Sequence, residues 1–148
     1  MTESIEETQA RLVADLTGAG DWKARYRRII ELGRNLPPLP AELQTETYRV
    51  KGCQSQVWLH ARLDDGRVVL QGTSDSDIVR GLVALVLAVY SNRTPDEVLV
   101  HPPSFIDRIG LGESLTQARA NGLSSMIRQV KLYAAAFKAL AATGRTSS

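Results

Sequence analysis

From Val57 to Leu63 apolar Val57, Leu59, Ala61 and Leu63 alternate with Trp58, His60 and Arg62, whereas elsewhere the apolar residues mostly recur every three or four positions. A period of two sends successive side chains to opposite faces of a strand, and a period near 3.6 gathers them along one stripe of a helix. The alternating run therefore predicts a strand with one buried face. Asp65-Gly66 is a two-residue hairpin signal, and Arg67 to Gln71 supplies the returning strand.

The helical periods lie on both sides of this hairpin. Ile5, Leu12, Val13 and Leu16 predict a short first helix that ends at Gly18-Ala19-Gly20. Asp21 caps a second helix with the stripe Trp22, Tyr26, Ile29, Ile30 and Gly33, stopped by Pro37-Pro38 and Pro40, and an extended linker follows. Ser74 and Asp77 have the spacing of a capping box for a helix from Ile78 to Tyr90, which is apolar nearly all round and so belongs at the centre of the core. Thr94-Pro95-Asp96-Glu97 is a fuller box opening a short helix to about Val100, ended by Pro102 and Pro103. A further helical piece is expected over Ser104 to Ile109, before Gly110-Leu111-Gly112 breaks the chain. The last stripe is Leu123, Met126, Ile127, Val130, Ala134 and Phe137, with Gly122 at a kink or at its start; Thr143 to Ser148 has nothing to bury and reads as a frayed tail. The whole predicts one α+β domain over residues 1–142, a small antiparallel sheet covered by helices on one side.

Composition narrows the classes. A chain of 148 residues is the size of one domain and can bury about 68–70% of the surface its unfolded form exposes. Its longest apolar stretch, Leu82 to Tyr90, is half of the roughly 20 residues needed to cross a bilayer, so no membrane span is expected. Met1 to Glu7 is acidic without an apolar core, unlike a secretory or transit peptide, and a single cysteine allows no internal disulfide; both point to the cytoplasm. Eighteen basic against sixteen acidic residues leave a charge of +2, too little to argue for nucleic acid. The basic residues do cluster locally: Lys23, Arg25, Arg27, Arg28 and Arg34 share the second helix with Glu31, either as a solvated face or as a dock for an acidic partner surface.

That one cysteine, Cys53, sits in Lys51-Gly52-Cys53-Gln54-Ser55-Gln56, a polar segment ahead of the first strand. A cysteine serving only as a small hydrophobe belongs inside an apolar run; one among amides, a hydroxyl and an ammonium is a candidate working thiol, and Lys51 is expected to favour its thiolate. Gly52 lets the chain turn sharply or another backbone approach closely. The two histidines, His60 in the strand and His101 beside two prolines, read as packing or surface residues; nothing marks a nucleophile-base pair, and no phosphate-cradling glycine loop is present. What the chain can support is sulfur exchange, which needs one accessible thiolate and little else.

Gly52-Cys53-Gln54-Ser55-Gln56-Val57-Trp58 resembles the signature of the SufE family of sulfur-acceptor proteins. The likeness extends through Trp22, Tyr26 and Ile29-Ile30-Glu31-Leu32-Gly33, through Gln71-Gly72-Thr73-Ser74-Asp75 with Ile78-Val79-Arg80-Gly81-Leu82, and through Arg119-Ala120-Asn121-Gly122-Leu123, covering about Asp21 to Phe137. Gln54-Ser55-Gln56 is closer to the SufE branch than to the related CsdE branch; Thr73, Ala118 and Ala120-Asn121 depart from the family's usual residues. The resemblance implies a fold shared with IscU-type scaffolds and a Cys53 that receives a persulfide sulfur from a PLP-dependent cysteine desulfurase, SufS-like or CsdA-like. It further implies that the chain stimulates that enzyme and delivers the sulfur to a SufBCD-type scaffold complex. No cofactor is expected on this chain, since the PLP belongs to the desulfurase, and a monomer or weak homodimer is expected. It points to Asp75 and Arg119 as loop or partner contacts, beside their plainer roles at helix starts. An IscU-like cluster scaffold or a non-catalytic binding module remain as alternatives.

Overall fold

The computed structural model describes residues 3–143; of the expected tail only Thr143 falls within them. Its order is α1 (Ile5–Gly18), α2 (Trp22–Arg34), β1 (Val57–Asp64), β2 (Arg67–Ser74), α3 (Asp77–Tyr90), α4 (Pro95–Val100), α5 (Phe105–Ile109), α6 (Leu111–Ser114) and α7 (Gln117–Ala142). Two single turns of 3-10 helix, Ala41–Leu43 and Glu46–Tyr48, occupy the linker that the prolines predict to be extended.

The α+β expectation holds. β1 and β2 form an antiparallel pair in register from Val57 opposite Ser74 to Asp64 opposite Arg67. Asp65 and Gly66 both take positive φ, 51° and 78°, as a tight hairpin turn matched to strand twist requires. β2 runs three residues beyond Gln71, because Gly72 presents no side chain where Leu59 and Val83 close over the ladder; a Cβ there would lie 2.7 Å from Leu59 Cδ2. Val57, Leu59, Val68 and Leu70 face the helices, while Trp58, His60 and Arg62 point the other way.

Helix starts follow local hydrogen bonding. Ser4 and Glu7 form a capping box at α1, Asp21 accepts from the Ala24 amide at α2, and Thr94 and Glu97 form the box expected at α4. The start of α3 differs from expectation: Ser76 is its cap, accepting from Val79, while the Ser74 hydroxyl accepts from the Ser76 amide because Ser74 is still in the strand. Gly110, at φ 85°, ends α5, and one more turn, α6, follows where a simple break is expected.

Leu82, Val83, Leu85, Val86, Val89 and Tyr90 are fully buried, so α3 is the central helix, each such side chain contributing about 1.5–3 kcal/mol of burial. α2 crosses α3 at backbone-to-backbone distance: a Cβ on Gly33 would stand 2.6 Å from the Gly81 nitrogen, and one on Gly81 would strike the Ile29 carbonyl. α7 lies against α3, α4 and β1 and is continuous through Gly122; Thr116 caps it by accepting from the Arg119 amide. Among the described residues no helix is long and apolar enough to cross a membrane.

Candidate functional site

Lys51 to Gln56 forms a short loop closed at its base and open at its tip. The Val50 amide donates to the Val57 carbonyl at 2.8 Å, and Arg49 bridges to Trp58, so the chain enters the loop already paired with the strand that leaves it. Asp75 fixes the exit from the other side. Its Oδ1 accepts from the Gln56 amide at 3.0 Å, and its own amide donates to the Gln56 carbonyl at 3.2 Å. Asp75 is thus a loop clamp and caps no helix.

The tip turns on Gly52, whose φ of 86° favours glycine and whose missing Cβ would fall 2.8 Å from the Ser125 hydroxyl of α7. That turn lays Cys53 over α7. The thiol donates weakly to the Gly122 carbonyl at 3.7 Å, and a Cβ on Gly122 would touch the sulfur at 3.4 Å. Gly122 therefore marks neither a kink nor a start; it provides the floor under the sulfur. Around it lies a cavity of about 390 Å³ lined by Cys53, Gln54, Ser55, Val79, Thr116, Ala118, Arg119, Gly122 and Met126.

The electrostatics differ from the expectation for Lys51. Its ammonium is 75% exposed and pairs with Glu46 Oε1 at 2.7 Å, holding that carboxyl below the usual range. Burial of the half-covered Cys53 pushes its thiol upward, and the positive charge that partly offsets this is Arg49. Loss of hydration acts on the sulfur at contact range, while the Arg49 charge acts through space, so burial wins. Burial therefore favours the neutral thiol at rest.

Other expected residues sort by position. Gln54 and Ser55 line the cavity mouth, and Gln56 is the clamped end of the loop. Arg119 joins the cavity wall from the first turn of α7, its guanidinium 6.0 Å from the ring centre of Tyr26. His60 lies outside that wall and packs edge-on against Tyr48, its Nδ1 buried without a hydrogen-bond partner. His101 is held between Glu6 and the Glu97 carbonyl. Among the described residues no group of three or more His, Cys, Asp or Glu could hold a metal ion. Arg49, Val79, Thr116, Gly122 and Met126 belong to the site but were not singled out for it from sequence; the one available signal was a glycine just ahead of the last apolar stripe.

Residues 10–134 match the SufE family, described as an Fe-S metabolism associated domain. A SufE-like protein of Rhizobium meliloti is 44% identical over 126 residues, spanning 82% of this chain and 90% of its own. One from Synechocystis is 38% identical over 129 residues, spanning 87% and 81%. The solution structure of a hypothetical protein from Thermus thermophilus superposes with a TM-score of 0.72 at 23% identity, over 87% of this chain and 94% of that one, which shows a shared fold.

Proposed function

Because the chain belongs to the SufE family of Fe-S metabolism, we propose that Cys53 accepts a persulfide sulfur from a cysteine desulfurase and hands it to a SufBCD-type scaffold, stimulating the desulfurase by clearing its product. The observation that carries this proposal is the placement of the single cysteine at the tip of a clamped loop, half-sheltered on the rim of a cavity larger than the thiol fills.

The chemistry balances without an oxidant. The Cys53 thiolate attacks the outer sulfur of the donor's persulfide; a new S–S bond forms at Cys53, the donor's S–S bond breaks, and the donor cysteine leaves as a thiolate. The transferred sulfur keeps its proton, so Cys53 becomes Cys53–S–SH. The same exchange in the next partner returns Cys53 to thiolate. With one cysteine in the chain, no internal thiol can discharge the persulfide as a disulfide.

The resting geometry suits a carrier more than a free-standing nucleophile. Burial holds the thiol protonated against Gly122, which guards it from stray thiols and oxidants, and reaction requires the tip to move outward while Val50–Val57 and Asp75 hold the base. Incubation with a desulfurase and cysteine, followed by intact mass, should show one added sulfur atom located at Cys53, absent in Cys53→Ser. No adduct in the native chain with an active donor overturns the assignment. If Cys53→Ser stimulated the desulfurase fully, a binding module would replace it.

A further inference from the structure

The second helix separates its basic residues into two groups. Arg25 donates to the Gly20 and Ile109 carbonyls, and Arg28 pairs with Asp15 and Glu31, so both are occupied inside the fold. Lys23, Arg27 and Arg34 are exposed and, among the described residues, form no ion pair. Spacings of four and seven put these three on one side of α2, along a stripe about 16 Å long at 1.5 Å per residue. Glu31, the carboxylate on the same side, is engaged by Arg28.

The helix that carries this stripe reaches the cysteine cavity through Tyr26 and Arg119. Lys23 and Arg27 flank Tyr26, which packs edge-on with Trp22 and lies under the Arg119 guanidinium, and Arg119 forms part of the cavity wall. The exposed cations thus share α2 with the residue that meets the cavity wall. A whole-chain charge of only +2 makes this a local field, suited to orienting a partner over one place.

We propose that Lys23, Arg27 and Arg34 form a docking stripe for an acidic surface of the sulfur-donor protein, orienting its persulfide over Cys53. This rests on Cys53 being a sulfur acceptor. Such a contact acts mainly on encounter and weakens with salt, because the Debye length falls from about 10 Å at 0.1 M to about 3 Å at 1 M.

Two readouts separate the docking stripe from the sulfur chemistry: equilibrium binding of the full chain to a desulfurase, and sulfur gain at Cys53 by intact mass. Lys23→Glu/Arg27→Glu should raise the dissociation constant about tenfold or more at low salt, with most of the difference gone near 1 M. At saturating donor the variant should still take one sulfur. The charge-matched control Arg62→Glu/Lys138→Glu, on the exposed sheet face and the far part of α7, should bind like the native chain. Equal binding by the stripe variant and the native chain overturns the proposal, as does tighter binding of the stripe to a duplex oligonucleotide than to the desulfurase, or an equal loss in the control. Native binding without sulfur gain overturns the acceptor role instead, and the variant's binding still decides the stripe.

Discussion

Gly122→Ala sets helix stability against the seat of the sulfur. Glycine inside a helix is about 0.8–1.0 kcal/mol less favourable than alanine, so on backbone grounds the substitution should stabilise α7. The new methyl would lie 3.4 Å from Cys53 Sγ and 3.9 Å from its Cβ, and nothing else is near it outside the helix's own backbone and the adjacent residues. Contact at 3.4 Å asks for a displacement of a few tenths of an ångström. Cys53 is on a loop tip held by a long S–H contact, whereas residue 122 is locked in a 26-residue helix, so the loop yields. Expected is a melting temperature higher by about 2–4 °C, as about 1 kcal/mol gives in a chain of this size. Alkylation of Cys53 near neutral pH should be faster, because the sulfur loses part of its cover. Calorimetry and iodoacetamide labelling measure the two effects. A lower melting temperature would show that the helix yields instead, and an unchanged labelling rate would show that Gly122 does not seat the thiol.

Four further outcomes follow from the structure. Because burial raises the Cys53 pKa and Arg49 opposes it, Arg49→Gln should shift the midpoint of the alkylation rate to still higher pH; no shift, or a downward one, removes Arg49 from the site. The raised pKa means the folded chain keeps a proton that the unfolded chain loses, so this group's contribution to stability is intact below the ordinary thiol pKa and declines as pH rises through the folded value. Denaturant titrations should show a smaller alkaline loss in Cys53→Ser. Asp75→Ala removes a charge-assisted acceptor worth about 1–2 kcal/mol, so the Gln56 amide should exchange about five- to thirtyfold faster, and identical exchange would mean that the clamp is not closed in solution. Gly81→Ala drives a methyl into the Ile29 carbonyl and should cost about 3 kcal/mol or more, read by chemical denaturation; a loss under 1 kcal/mol would contradict the close crossing of α2 and α3.

The elements were legible wherever their cause is local. A cap reaches three residues along the chain, so Asp21 and the box at Thr94 and Glu97 appear in sequence as they do in space, and Asp65-Gly66 specifies its turn without help. Boundary errors arose where two local devices compete. Ser74 has capping chemistry but is claimed by the ladder through its pairing with Val57, leaving Ser76 to start α3.

That a lone cysteine stands in a polar, glycine-led loop before a hairpin follows from residue order alone, because loop character and strand period depend only on neighbours along the chain. Which groups reach the sulfur was decided by the tertiary structure. Lys51, two residues away, turns to Glu46, while Gly122, sixty-nine positions on, carries the carbonyl beneath the thiol. Hydration and electrostatic coupling depend on distance through space, and only the packing of α7 under the loop sets those distances; that is why burial pushes the thiol upward although its sequence neighbours suggest the opposite.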